Sequence, residues 1–204
     1  MKHKFKFLTF FIVLIIFYSN FSLVTKACVN FPNNIPFLED KFIILDSKKN
    51  YKLPARFRTI ENLNISGSAE FRPSQIDNIK AAINAPKITV VDLRQESHGF
   101  LNDNPISYYS FFQIINNNLN SSEAEKAEEI ALSELPLNKN IPIFRVTGEY
   151  LESIKASVIL NEKSLCNNYG LGYKRLAVRD NWIPTPETVD DFISFIKNLN
   201  NDVH

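Results

Sequence analysis

Residues 88–99 read Ile88-Thr-Val-Val-Asp-Leu-Arg-Gln-Glu-Ser-His-Gly99. The first six form an almost unbroken aliphatic and β-branched run, the pattern of a strand buried on both faces of a sheet. Charged residues follow at once, and residues 95–105 are expected as a loop. In an α/β fold, a loop at the carboxyl end of a buried strand is where ligand sites collect.

The flanking segments alternate in period. Upstream, Pro73-Ser74 predicts a helix start with Ser74 as N-cap. Ile76, Ile79 and Ile83 make one apolar face, and Pro86 stops the helix. Downstream, Ser122-Glu-Ala-Glu125 reads as a capping box, opening a helix that runs through Leu135 to Pro136. Ile141-Pro-Ile-Phe-Arg-Val146 reads as a strand near a sheet edge, because Pro142 lacks a donor. Residues 150–168 are expected to be helical in part, ending near Gly170, and Tyr173–Val178 alternates as a strand. Thr185 and Pro186 then cap and open a last helix, whose Val189, Phe192, Ile193, Ile196 and Leu199 form an apolar stripe, with Asn200-Asn201 ending it. Strands alternating with helices imply an α/β sandwich with a largely parallel sheet.

The N-terminus has a different character. Lys2, Lys4 and Lys6 precede an apolar stretch from Phe7 to Tyr18, and small residues lead to Ala27. This is the three-part layout of a secretory signal peptide over residues 1–27, its apolar core shorter than the ~20 residues of a membrane-spanning helix. A retained anchor and lipoprotein processing at Cys28 are the alternatives, the second disfavoured by Lys26. Export, to the medium or the cell envelope, is the expectation. Residues 28–50 read as an N-terminal extension carrying one short apolar strand, Phe42–Leu45, and residues 51–204 as the domain proper.

Removing the leader leaves 19 basic and 22 acidic residues, a net charge of −3. With no basic arm or Lys/Arg run, a nucleic-acid partner is excluded, and an anionic ligand would need local positive charge. Cys28 and Cys166 could pair in an oxidising compartment; a free Cys166 is the simpler reading. Only His98 and His204 remain after the leader, at no ligand spacing, so neither a metal nor a cofactor is expected.

Three segments in order carry a resemblance: Leu53-Pro-Ala-Arg-Phe-Arg58, Asn64-Ile-Ser-Gly-Ser68 and Val91-Asp-Leu-Arg-Gln-Glu-Ser-His-Gly99. Together they resemble the protein-tyrosine-phosphatase-like phytases of bacteria, cysteine phosphatases that act on inositol hexakisphosphate. The likeness covers roughly residues 51–200. It implies a cysteine-phosphatase-like α/β sheet flanked by helices, a cysteinyl-phosphate mechanism and a small anionic phosphorylated substrate. Asp180, ahead of Pro184-Thr-Pro-Glu187, resembles the family's general acid. Asn181 stands where the family often has His, which weakens the case for phytate as substrate. The resemblance also implies a nucleophile loop of the form Cys-x5-Arg on a central strand. Six residues after Cys28 stands Asn34, and six after Cys166 stands Gly172. The nucleophile is therefore absent from these 204 residues, and the expectation is a domain incomplete at its C-terminal end, inactive alone.

By the same resemblance, Arg58 is expected to grip a substrate phosphate and His98 to contact substrate. A surface ion pair for Arg58 and a bond to a backbone carbonyl for His98 are the plainer readings. Arg94 and Glu96 read as an ion pair holding the loop. Three functional readings stay open: part of an exported phosphatase, a non-catalytic secreted module that binds an anionic ligand through Arg58, and a remnant that does not fold alone.

Overall fold

The computed structural model describes residues 41–47, 51–111, 114–199 and 203–204, all within one unit spanning residues 36–204. The leader, Cys28 and Asn200-Asn201 lie outside the described residues. The strands are β1 (Phe42–Leu45), β2 (Arg58–Ile60), β3 (Ile65–Gly67), β4 (Thr89–Arg94), β5 (His98–Leu101), β6 (Asn104–Tyr109), β7 (Asn140–Phe144), β8 (Tyr150–Lys155), β9 (Ile159–Leu160) and β10 (Gly172–Val178). The helices are α1 (Ile76–Ile83), α2 (Ser121–Ser133), α3 (Glu162–Asn168) and α4 (Pro186–Lys197). Among the described residues no helix is long and apolar enough to cross a membrane.

The fold is mixed α/β, with helices flanking a mixed sheet. Six strands run in the order β8-β7-β1-β6-β5-β9, and β10 pairs with β4 separately. Among the described strand pairs, β1–β7 and β4–β10 are parallel and the others antiparallel, and an isolated parallel bridge joins Lys87 to Val203. The largely parallel sheet expected from the alternation is thus corrected. Residues 95–105 are the reason: they form most of a β5–β6 hairpin turning at Asn102-Asp103, where Asn102 takes φ 56°. Asn tolerates this left-handed conformation, which a two-residue hairpin turn requires. β8 and β9, in a segment expected to be helical, add further antiparallel pairs, and only residues 162–168 of it are helix.

Other expectations shift with the topology. β5, not β4, is the strand buried along its whole length. Its Phe100 joins a core with Phe71, Ile76, Ile88, Leu165 and Leu171, while its Leu101 joins a second core with Ile43, Ile106, Ile141 and Ile143. Leu93 of β4 is 57% exposed. β7 is one strand in from the edge, and its partnership with β1 is at Phe144, clear of Pro142. β1, within the segment read as an extension, is an inner strand of the sheet.

Helix starts are displaced by local hydrogen bonding. Ser74 does not cap α1; its amide and hydroxyl both donate to Asp103, at 2.8 and 2.9 Å, and a 3₁₀ turn over Pro73–Gln75 precedes the helix. The capping box of α2 is Asn120 with Glu123, two residues earlier than expected. α4 begins as the sequence suggests, with the Thr185 hydroxyl accepting from Thr188 N at 3.2 Å.

Candidate functional site

Alternation along β4 and β10 sends two kinds of side chain to opposite sides. In register, Arg175 lies beside Asp92. Asp92, Tyr173 and Arg175 point into a buried polar cluster, whereas Leu93, Leu176 and Val178 line an open cleft.

The cluster gathers charges from five elements. His98, at the start of β5, is fully buried. Its Nε2 lies 3.3 Å from Asp92 Oδ2 and 3.2 Å from Glu162 Oε2, and its Nδ1 lies 3.0 Å from the Glu96 carbonyl and 3.1 Å from Glu128 Oε2. The Arg175 guanidinium donates to Glu128 Oε2 at 2.6 Å and to the carbonyls of Arg94 and Glu96 at 3.0 and 2.8 Å. Tyr173 donates to Asp92 Oδ2 at 2.8 Å. Arg94 reaches Glu96 at 2.9 Å, Glu70 at 2.5 Å and Asp46 at 3.1 Å, and it also contacts Ser107 Oγ. Glu162 sits in the first turn of α3, where the helix dipole favours an acid.

Burial decides the electrostatics, with ion pairing set against it. Desolvation alone would push Asp92 up, but His98 and Arg175 outweigh it and hold the carboxyl well below its ordinary value. Burial also disfavours the imidazolium of His98, yet Asp92 and Glu128 hold its proton affinity well above the usual range. Glu70, desolvated and facing the charge of Glu162, is pushed up to about 8.

His98 therefore does not contact a substrate. This corrects the role drawn from the resemblance: its ring is enclosed by carboxylates on both nitrogens, with no path to solvent. It ties β5 to β4, α2 and α3. Arg94 and Glu96 do form the ion pair expected of them. Arg175, Glu128, Glu162 and Tyr173 were not singled out in the sequence. The available signal was Arg175, a charge inside the alternating strand Tyr173–Val178.

Asp180 lies elsewhere. It is exposed in the turn after β10 and lines two clefts. The smaller, of about 190 Å³, is walled by Asp46, Glu96, Ser107, Tyr109 and Ser110 among others. The larger, of about 640 Å³, is walled by Leu93, Arg94, Val178, Trp182, Val189 and Phe192 among others. The turn is held locally. Asn181 takes φ 59° and its side chain donates to Asp180 Oδ2 at 3.1 Å, while the Arg179 guanidinium lies 4.6 Å from the centre of the Trp182 ring. Arg58 sits apart on the β2–β3 hairpin, exposed, donating to the Arg56 carbonyl at 3.2 Å, and lines neither cleft. Cys166 is fully buried in the core beside α1, and burial pushes its thiol far up, the opposite of an activated nucleophile.

This arrangement of sheet and helices is shared with solved structures. A tandemly repeated protein tyrosine phosphatase-like phytase from Mitsuokella multacida superposes with a TM-score of 0.73 at 24% identity, over 89% of this chain and 36% of that one. The PTP-like myo-inositol phosphatase of the same organism, solved with myo-inositol-(1,3,4,5)-tetrakisphosphate, gives 0.72 at 24% identity with the same coverage. A PTP-like phytase from Bdellovibrio bacteriovorus gives 0.68 at 29% identity, over 85% of this chain and 64% of that one. This is the fold of the PTP-like phytases. By sequence, the chain is 25% identical over 159 residues to the effector protein hopD2 of Pseudomonas syringae pv. tomato. No family model matches. The chain spans about a third of the length of hopD2 and of the Mitsuokella proteins. The PTP-like phytase fold agrees with the resemblance carried by residues 51–99 and 180–187.

Proposed function

We propose that this chain is the acid-bearing portion of an exported, bacterial phosphomonoester hydrolase that works through a cysteinyl-phosphate. Asp180 is its general acid, protonating the leaving alkoxide. Arg58 contributes a guanidinium to a substrate phosphate. Inositol polyphosphates are the first substrates to test, since a protein of this fold has been solved with one. The observation that carries the reading is the position of Asp180, an exposed carboxyl oriented by Asn181 at the rim of two clefts.

The thiolate is not among these 204 residues, because neither Cys28 nor Cys166 has an arginine six positions on. The chain alone is therefore expected to release no phosphate. Residues 1–27 would direct export as a leader.

The test compares two leaving groups. A protein containing these residues together with a Cys-x5-Arg segment is assayed on inositol hexakisphosphate and on 4-nitrophenyl phosphate. Asp180→Asn should lower kcat by roughly 10²–10⁴ on the alkoxide leaving group. It should cost far less on nitrophenolate, which leaves without a proton. Equal losses on the two substrates would remove Asp180 from the acid role. For Arg58, calorimetry with inositol hexakisphosphate should show binding that Arg58→Ala weakens; unchanged heats would exclude it.

A further inference from the structure

Arg58 is carried by a hairpin with little burial to hold it. All three residues of β2 are exposed, and among the described strands β2 and β3 pair only with each other. A two-stranded hairpin is marginal by itself. Whatever fastens this one acts through its faces.

The two faces differ. In register, Arg58 stands opposite Gly67, and Thr59 opposite Ser66. Alternation puts Arg58 and Gly67 on one face, Thr59 and Ser66 on the other. On the first face the guanidinium lies against the bare backbone of Gly67. A Cβ there would sit 3.3 Å from Nη2, 3.4 Å from Cζ and 3.7 Å from Nη1. Nη1 donates to the carbonyl of Arg56, a residue at φ 60°. A guanidinium has five donors, enough to hold this carbonyl and a phosphate together.

On the second face, Ser66 Oγ lies 2.7 Å from Nε2 of His204, a residue 138 positions away. His204 is itself fixed on β4. Its amide donates to the Lys87 carbonyl at 3.0 Å, its carbonyl accepts from Thr89 N at 2.8 Å, and Val203 bridges Lys87 in parallel. Ile88, between those two residues, turns the opposite way and accepts from Gly172 N at 2.9 Å. Residues 203–204 therefore lie along the edge of β4 away from β10. His204 is partly buried, and desolvation lowers its proton affinity, so its ring is neutral at pH 7 and meets the hydroxyl through an ordinary hydrogen bond.

We infer that the Ser66–His204 bond is a latch that seats the β2–β3 hairpin on β4 and so positions Arg58 for an anionic ligand. This rests on the phosphate role given to Arg58 above. Ser66 and His204 are positioning residues: they act through the hairpin and need not touch the ligand.

The test takes two readouts on the full chain. Trypsin cuts after Arg58 only when the hairpin opens, and the rate follows the open population. Losing one hydrogen bond should raise that population about 3- to 10-fold. Ser66→Ala and His204→Ala should speed this cleavage, followed by mass spectrometry, by that factor. Ser66→Thr and His204→Gln, which keep a hydrogen-bonding group in place, should stay near the unmodified rate. Calorimetry with inositol hexakisphosphate should rank the variants the same way, with affinity about 3- to 10-fold lower in the two alanine variants. In an Arg58→Ala background, Ser66→Ala should lower the affinity no further, a result that general loosening would not give. Unchanged cleavage in both alanine variants would overturn the latch. Faster cleavage with unchanged affinity, where Arg58→Ala does weaken binding, would overturn the positioning and spare the phosphate role of Arg58. No binding, or binding that Arg58→Ala leaves unchanged, would strike that role itself and the positioning with it.

Discussion

Asp180 and His98 enter the sequence alike, each a lone titratable residue just past a strand, and the structure separates them by burial. Asp180 is solvated at a rim; His98 is sealed between carboxylates. Periodicity cannot tell these apart, because the acids that enclose His98 come from residues 92, 128 and 162. Arg175 shows what that enclosure is worth. Replacing it with Leu removes a guanidinium bound to Glu128 and beside Asp92, leaving buried charge without its partner. The expected loss is about 3–5 kcal/mol of stability, measured by urea unfolding. Cys166 supplies a second residue-scale expectation. With its thiol buried and its proton affinity raised by desolvation and by Glu162, it should resist thiol reagents at pH 8 in a folded Cys28→Ser background. It should react fully once urea is added, and rapid labelling of the native chain would contradict its assigned burial.

At the scale of elements, β5 is where sequence and structure part most. His98-Gly99-Phe100-Leu101 looks like the tail of a loop because it opens with a polar and a flexible residue, yet it is the most enclosed strand described. Gly99 is there for space. A Cβ at this position would lie 2.5 Å from the Leu160 carbonyl and 2.8 Å from a Leu132 methyl. Gly99→Ala should therefore cost about 1–3 kcal/mol through overpacking, visible as a lowered urea midpoint. By contrast β1, β10 and α4 were legible, because each combines a clear apolar pattern with a clear boundary. Thr185→Ala should cost about 1 kcal/mol, since the hydroxyl satisfies an amide at the helix start. The hairpin at Asn102 was missed for a specific reason: its turn residue works through tertiary bonds. The Asn102 side chain accepts from the amides of Ser157 and Val158 and donates to the Lys155 carbonyl, partners more than 50 residues away. The proposed acid role of Asp180 was legible only through resemblance, because an Asp before a turn is otherwise a common turn residue.

For the whole molecule, the two cores meet through β5, whose neighbouring residues Phe100 and Leu101 feed one each. Beyond them the apolar stripe of α4 stays open: Val189, Phe192, Ile193 and Ile196 are each exposed by more than two fifths. An amphipathic helix with its apolar face uncovered contributes little burial to this chain. Phe192→Ser should accordingly change the unfolding free energy, measured by urea unfolding, by less than about 1 kcal/mol. A large destabilisation would mean that this face is covered in solution.

Trp182 is the chain's sole tryptophan, and it stands on the turn that carries Asp180, stacked with Arg179 and largely in solvent. Its emission thus comes free of any background from the cores. Whatever shields that indole, be it a phosphorylated ligand, an approaching protein segment or the turn folding inward, should appear as a blue shift and weaker acrylamide quenching, assigned to one known place without any added label.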